Sequence, residues 1–182
     1  KTRLFSMEPF AKPEDLKKLR PWAWKDDPVF AEFVHVIGAN PVRVGAPEVY
    51  GGLQTRMLDT VPVSALAAVA MQWYTRLNYM AEQNLGIIIG GSVIKKEKFY
   101  ALSEHDQKVL LETSERAARA GDKLARRDDA RAYDSLIKRG ITLVDTSPHK
   151  AAWDAAAAQT RKNLTGRVYS KSLLEAVERV AK

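Results

Sequence analysis

The chain has 182 residues, no cysteine, 46% hydrophobic residues and a formal net charge of +7. This composition predicts one soluble domain or a two-lobed part of one, and it excludes disulfides, thiolate zinc sites, iron–sulfur clusters and a cysteine nucleophile. No stretch of the sequence is long and apolar enough to cross a bilayer. Since the chain opens at Lys1 without an apolar signal core, we expect that a signal peptide was removed or lay upstream.

The first part of the chain alternates between predicted strands and predicted helices, which is typical of an α/β layered architecture. The first helix has Asp26 or Asp27 as a candidate N-cap and Gly38 as its stop. Residues 64–74 are rich in small and aliphatic side chains and predict a buried helix. The strands predicted before them are 19–24, 41–44 and 59–63, and the helices are 27–37 and 47–55.

The second part is dominated by one long predicted helix. Residues 78–95 contain many β-branched side chains and glycines, which predicts a strand that packs on both faces. Ser103 is the predicted N-cap of a helix that runs to Arg139 and stops at Gly140, a length of about 54 Å. The remaining predictions are a strand at 141–144 and helices at 148–164 and 170–181.

The densest basic run does not predict nucleic-acid binding. Glu115 and Asp122 each precede an arginine by four residues, a spacing that favours a solvated helix face. No aromatic side chain stands among the basic residues to stack on bases. The run consists of Arg116, Arg119, Lys123, Arg126, Arg127 and Arg131.

We find no pattern that predicts catalysis. The histidines His35, His105 and His149 follow no metal-binding spacing, so we expect no metal site and no cofactor. The sequence also lacks a Gly-x-Ser-x-Gly motif and a P-loop. An enzyme that uses one of these histidines in an unrecognised arrangement is an alternative that the sequence makes the least favoured.

Trp22 and Trp24 would project from the same face of the first predicted strand, because side-chain direction repeats every two residues. Two large aromatic rings on one face must be shielded from water. Either neighbouring helices pack on them, as in an ordinary core, or a bound ligand lies over them.

Several segments in order resemble the solute-binding proteins of TRAP transporters, the DctP-like family. The first is Lys-Pro-Glu-Asp-Leu-Lys-Lys-Leu-Arg at 12–20, and Gly-Ala-Asn-Pro-Val follows at 38–42. The next segments are Pro-Glu-Val-Tyr at 47–50, Leu-Gln-Thr at 53–55 and Leu-Asp at 58–59. Residues 94–99 and 102–110 resemble the return to the first lobe and the start of a long spine helix.

The resemblance implies a periplasmic protein with a two-lobed α/β fold of the type II periplasmic-binding class. Such a protein binds a small-molecule ligand, delivers it to the membrane permease of a TRAP transporter and catalyses nothing. It also implies that much of the first lobe would precede Lys1. The implied division is a second α/β lobe at 1–84, a return segment of the first lobe at 85–102, the spine helix at 103–140, and a C-terminal strand and helices at 141–182.

The resemblance also implies where a ligand would bind. Family members that take up organic acids carry a carboxylate-binding arginine at the position of Trp22 and an asparagine at that of Val63. A pocket aromatic falls on Ala46. A further arginine would fall on Thr2, so that Arg3 is the nearest basic residue.

The absence of these carboxylate-binding residues changes the class of ligand that we expect. A carboxylate buried against Trp22 and Val63 without a charged partner would cost several kcal/mol. We therefore expect a hydrophobic or aromatic ligand that lies over Trp22 and Trp24 rather than a small dicarboxylate. We further expect Trp22→Ala to weaken binding while leaving the fold intact.

An alternative is a truncated, self-associating binding or interaction module without transport activity of its own. Without the first lobe, the apolar segment 87–93 would lack sheet partners. An unpaired apolar edge tends to pair with another copy, so a homo-oligomer is expected in that case.

Overall fold

The computed structural model describes residues 1–180, in which short strands alternate with helices along most of the chain. The strands are β1 (Arg3–Ser6), β2 (Trp22–Trp24), β3 (Val42–Val44), β4 (Thr60–Val63), β5 (Tyr79–Ala81) and β6 (Thr142–Val144). The helices are α1 (Pro28–Val36), α2 (Ala46–Gln54), α3 (Ala65–Ala70), α4 (Lys96–Tyr100), α5 (Glu104–Lys138), α6 (Lys150–Leu164) and α7 (Lys171–Val180). Short 3-10 helices cover Pro13–Lys18, Trp73–Arg76 and Ser147–His149. Within residues 1–180, no helix has the length and apolarity needed to cross a bilayer.

The strands line up in the order β3-β2-β4-β1-β5-β6. Four of them form a hydrogen-bonded sheet, β4-β1-β5-β6, and β2 pairs with β3. A parallel bridge between Pro21 and Thr60 joins the two groups. Strand β1 is antiparallel to β4 and β5, whereas the β2–β3 and β5–β6 pairs are parallel. The carboxyl ends of β2 to β6 therefore lie at one edge of the sheet, together with the start of β1.

Each face of the sheet has its own core. Successive residues of a strand point to opposite faces, and Leu4 and Phe5 accordingly belong to different clusters. The face of Phe5, called here the tryptophan face, is covered by α2, α3 and the end of α5. The other face, that of Leu4, is covered by α1 and α6. Both residues are almost fully buried.

The predicted ends of the first and longest helices are confirmed. Asp27 caps α1 by accepting hydrogen bonds from the backbone N–H groups of Val29 and Phe30, at 2.8 and 3.2 Å. Gly38 follows that helix with φ +78°. Ser103 caps α5 by accepting from the N–H of Asp106 at 3.1 Å. The long helix has 35 residues, close to the predicted length.

Two predictions were wrong. Of residues 78–95, only 79–81 form a strand. The isoleucines Ile87, Ile88 and Ile89 are 74%, 67% and 85% exposed. A β-branched segment forms a strand only where another strand pairs with it, and the described residues supply none beyond the bridge at Gly86. The helix predicted at 64–74 ends at Ala70, and Gln72 adopts a left-handed φ of 57° before a 3-10 turn. The end of the last predicted helix, residue 181, lies outside the described residues.

Helix α5 packs against the sheet-bearing part of the chain near its C-terminal end. There Ala132 and Leu136 are buried, and the Asp129 carboxylate accepts a hydrogen bond from the N–H of Leu66 at the start of α3, at 3.0 Å. Residues 111–127 are exposed all along the helix. Most of a helix that is long enough to span a domain therefore stands clear of the core.

The loop before the first 3-10 helix predicts an acid-sensitive contribution to stability. Burial raises the pKa of Asp15, but backbone N–H groups of Lys12 and Ala11, at 3.0 and 2.8 Å, outweigh it and lower the pKa below 3.8. A lowered folded-state pKa stabilises the fold above the unfolded-state pKa, and this stabilisation is lost as pH falls through the folded value. We expect Asp15→Ala to cost about 1 kcal/mol at neutral pH.

The pH dependence separates this contribution from simple packing. In urea unfolding, the difference between wild type and Asp15→Ala should shrink below about pH 4, where the carboxylate becomes protonated. A difference that stays constant from pH 7 to acid would contradict the role assigned to the charge.

Candidate functional site

The edge where the parallel strands end is the candidate site. In open α/β sheets, ligands bind outside the carboxyl ends of the strands, where loops and helix starts surround a crevice. Here the edge gathers the ends of β2, β3 and β4, the first turn of α2 and the start of β1. Every ligand-binding residue implied by the family resemblance lies on one of these elements.

Trp22 lies in the core on the tryptophan face rather than at the surface. Its side chain is 5% exposed, and its indole N–H donates to the carbonyl of Val44 at 2.9 Å. Trp73 packs edge-on against it, with ring centroids 5.4 Å apart. Val63 and Ala46 belong to the same cluster, Val63 as a buried member and Ala46 half-buried at the start of α2. That Trp22 contacts a bound ligand remains a prediction.

Trp24 is the accessible tryptophan of the pair. It lies on the same side of β2 as Trp22, at the end of the strand, and it is 48% exposed. The two ring centroids are 6.3 Å apart and the rings are tilted by 32°. An apolar surface thus extends from the core out to the sheet edge, where a flat solute can stack on it.

Arg3 supplies the positive charge of this edge. Strand pairing sets Arg3 opposite Val63, and its guanidinium lies 4.3 Å from the ring centre of Tyr133 on α5. Its Nη1 donates to the carbonyl oxygens of Ala81, at 3.3 Å, and of Glu82. Among residues 1–180, no protein group accepts from its Nε or Nη2. These two donor nitrogens are therefore the groups with which Arg3 would bind an anion.

The five predicted residues share the tryptophan face but form two groups. Trp22, Ala46 and Val63 pack in one cluster, with Trp24 beside it. Arg3 lies on β1, which is separated from β2 by β4. Two strand spacings amount to roughly 10 Å. Both side chains extend from their strands, so the gap that a ligand must bridge is set by the positions of the Trp24 ring and the Arg3 guanidinium and not by the strand spacing alone.

Sequence reasoning missed several residues near this edge. Tyr133 supports Arg3 from 130 positions further along the chain, a contact that no local pattern reveals. A hollow of about 230 Å³ opens on the opposite face of the sheet. It lies beside Phe33 and Trp153, which stack with centroids 6.0 Å apart and planes at 11°. Within residues 1–180, no three His, Asp or Glu side chains converge where a metal ion could bind.

Comparison with known families and proteins gives consistent matches. Residues 2–166 match the family DctP, described as bacterial extracellular solute-binding protein, family 7. The chain is 29% identical to the 2,3-diketo-L-gulonate-binding periplasmic protein YiaO of Escherichia coli (strain K12), over 96% of this chain and 53% of that protein. This chain therefore spans about half the length of the curated relatives it matches.

Solved structures show the same fold. A TRAP periplasmic solute binding protein from Shewanella oneidensis, with bound succinate, superposes with a TM-score of 0.88 at 21% identity, over 100% of this chain and 59% of that one. Another from Citrobacter koseri, with bound D-glucuronate, gives a TM-score of 0.80 at 22% identity, over 97% and 57%. The architecture predicted from the sequence, that of part of a two-lobed type II periplasmic binding protein, is confirmed.

Proposed function

Because the chain belongs to the DctP family, the bacterial extracellular solute-binding proteins of family 7, we propose that it binds a solute in the periplasm for a TRAP-type transporter. In this role it captures a small molecule, delivers it to a membrane permease and catalyses no reaction. The family match over residues 2–166 supports the role, and the periplasmic relative YiaO supports the location.

The proposed ligand has a hydrophobic or aromatic body and is not a small dicarboxylate. The observation that carries this proposal is the half-exposed ring of Trp24, which lies at the sheet edge beside the buried apolar cluster of Trp22, Val63 and Ala46. A second carboxylate placed on this surface would lose hydration without gaining a charged partner. One anionic group is compatible with the site, because the Nε and Nη2 donors of Arg3 have no protein acceptor within residues 1–180.

The relatives support an acidic group on the ligand. One is described as binding 2,3-diketo-L-gulonate, and two solved structures hold succinate and D-glucuronate. All three are organic acids. A monocarboxylate with an apolar or aromatic body satisfies both Arg3 and Trp24.

We further propose that the chain supplies one wall of the binding cleft. On this division, residues 1–84 form the second lobe, 85–102 return toward the first, 103–140 form the spine and 141–182 close the fold. The spine assignment is supported by α5, whose residues 111–127 are exposed. The half-exposed Trp24 is then the part of the wall that a bound solute covers.

Substitution of Trp24 tests the site and the ligand class together. Phenylacetate serves as the aromatic monocarboxylate and succinate as the small dicarboxylate, both followed by calorimetry and by quenching of tryptophan fluorescence. We expect phenylacetate to bind more tightly than succinate. Trp24→Ala should weaken its binding by about tenfold, the effect of losing a stacking contact worth roughly 1.4 kcal/mol.

A matched control separates stacking from a general loss of apolar surface. Met71 is also 48% exposed but lies beyond the far end of α3, so Met71→Ala should leave the affinity unchanged. Equal affinities of wild type and Trp24→Ala would remove Trp24 from the site. Tighter binding of succinate than of phenylacetate would overturn the ligand class without touching the family role.

A further inference from the structure

The guanidinium of Arg3 uses only one of its three nitrogens within the described part of the chain. Arg3 is half-buried at the start of β1. Its Nη1 donates to the carbonyl oxygens of Ala81 and Glu82, where β5 ends. Neither Nε nor Nη2 donates to any protein group among residues 1–180. The backbone thus holds this side chain by one nitrogen and leaves the other two without a protein acceptor.

The two remaining nitrogens are the pair that suits a carboxylate. Nε and Nη2 donate in the same direction from the planar guanidinium, so together they can form parallel hydrogen bonds with the two oxygens of one carboxylate. The carbonyls of Ala81 and Glu82 hold Nη1, on the other side of the group. They therefore fix Arg3 through the nitrogen that this two-bond contact does not need.

Tyr133 holds the same guanidinium from helix α5. The central carbon of the guanidinium lies over the Tyr133 ring, 4.3 Å from the ring centre, which is well inside the range of about 6 Å for a cation–π contact. This attraction acts on the charge as a whole and occupies none of the N–H groups of Nε and Nη2. Tyr133 thus restrains Arg3 without competing for the donors that a carboxylate would use.

The backbone that carries Tyr133 is itself firmly placed. One turn earlier, the Asp129 carboxylate accepts a hydrogen bond from the N–H of Leu66 at 3.0 Å. On either side of the tyrosine, Ala132 and Leu136 are buried against the tryptophan face, at 7% and 0% exposure. The Tyr133 ring packs on the same core and is half-buried. The restraint on Arg3 therefore comes from an anchored part of α5.

We propose that Tyr133 is a positioning residue, which fixes the Arg3 guanidinium so that Nε and Nη2 together bind the carboxylate of the solute. The inference rests on the proposed function, in which an aromatic monocarboxylate occupies the site. Tyr133 needs no contact with the solute in this role, because it acts through Arg3. A fixed donor pair loses less side-chain entropy on binding than a mobile one. Tyr133 therefore sets how strongly the site prefers an acid to an uncharged molecule of the same shape.

Two ligands that differ in charge test this role in the full chain. Phenylacetate and phenylacetamide share their aromatic body, but only the first is an anion. By calorimetry, we expect wild type to bind phenylacetate more tightly. Tyr133→Leu should weaken phenylacetate binding by about fivefold, the effect of having to immobilise Arg3, and leave phenylacetamide binding unchanged. Tyr133→Phe should keep the wild-type preference, because the cation–π contact needs the ring and not the hydroxyl.

Tyr74→Leu is the matched control. Tyr74 is also half-buried on the tryptophan face, and its ring centre lies 5.2 Å from the guanidinium carbon of Arg139. It lies in the turn that leads into β5, at the opposite edge of the sheet from the candidate site. The preference for phenylacetate should be unchanged in this variant. Arg3→Gln should remove the preference, with a loss of more than about tenfold in phenylacetate affinity.

The restraint on Arg3 also has a spectroscopic signature that needs no ligand. A proton held over the face of an aromatic ring resonates upfield of its usual position. In NMR spectra of the ¹⁵N-labelled chain, the Nε–H signal of Arg3, assigned by its absence in Arg3→Lys, should lie upfield in wild type and in Tyr133→Phe. It should return to its usual position in Tyr133→Leu. A tyrosine that only filled the core would not control this signal.

The outcomes separate this inference from the proposed function. If Tyr133→Leu kept the preference for phenylacetate while Arg3→Gln lost it, the role of Tyr133 would be overturned and the proposed function would stand. If wild type bound neither compound, the proposed ligand class would be overturned, and the Nε–H signal would still report on Tyr133. An Arg3 signal that Tyr133→Leu does not move overturns the inference in either case.

Discussion

Replacing Trp22 with alanine is expected to lower the free energy of unfolding by about 3–5 kcal/mol, the usual cost of removing a large aromatic from a core. The ring is 5% exposed, packs edge-on against Trp73 and donates from its indole nitrogen to Val44. Truncation would leave a cavity and an unpaired carbonyl. This expected result differs from the sequence-based expectation that the substitution leaves the fold intact. Urea unfolding followed by circular dichroism measures the effect.

Two further variants make this result interpretable. Trp22→Phe keeps most of the apolar volume but loses the N–H donor and part of the ring, so it should cost clearly less than alanine. Trp24→Ala removes a ring that is 48% exposed and should cost less than about 1 kcal/mol. Equal destabilisation by Trp22→Ala and Trp24→Ala would contradict the contrast in burial. It follows that Trp24, not Trp22, is the position at which binding can be tested without unfolding the domain.

Asp59→Ala is expected to be the most disruptive polar substitution, at about 2–4 kcal/mol. The carboxylate is on a residue that is 2% exposed. It accepts hydrogen bonds from the backbone N–H and the Nε of Arg20, at 2.8 and 3.1 Å, and from the Thr60 hydroxyl at 3.0 Å. Alanine would leave the backbone N–H of Arg20 without its acceptor. Chemical unfolding again gives the magnitude.

The matched control is the exposed ion pair between Arg56 and Glu8, 3.3 Å apart. Both side chains are mostly in solvent, so Glu8→Ala should change stability by less than about 0.5 kcal/mol. Asp59→Asn keeps an acceptor but loses the charge, and an intermediate cost is expected. If Asp59→Ala lowered the free energy of unfolding no more than Glu8→Ala does, the Asp59 carboxylate would have no part in joining β4 to the segment that leads into β2.

The sequence predicted the helices well where local signals define both ends. Helix α1 carries Asp27 as its cap and Gly38 as its stop, and α5 carries Ser103 and Gly140, so each end depends on residues within one turn. Strand β1 was not predicted. It has four residues, and what makes it a strand is pairing with residues 60–63 and 79–80, which no local pattern encodes.

The candidate site was predicted in part. The alternation of Trp22 and Trp24 correctly placed both rings on one face, but a pattern cannot reveal that Trp73 covers one of them and not the other. The support of Arg3 by Tyr133 was equally hidden, because it depends on how α5 crosses the sheet. Conversely, the apolar residues 87–89 were predicted to lie in a strand. The β-strand propensity describes a residue's own preference and does not report whether a neighbouring strand is present.

Strand β1 also bears on the order of folding. It occupies a central place in the sheet, between β4 and β5, although it precedes the other five described strands along the sequence. Its neighbours lie more than fifty positions further along, so closing these loops costs chain entropy before any contact is gained. During synthesis, the unit of β2, α1, β3 and α2 can assemble before β4 has been made. Strand β1 can pair with β4 only after that. The sheet then closes from the middle, by insertion of a segment that is made before the strands on either side of it.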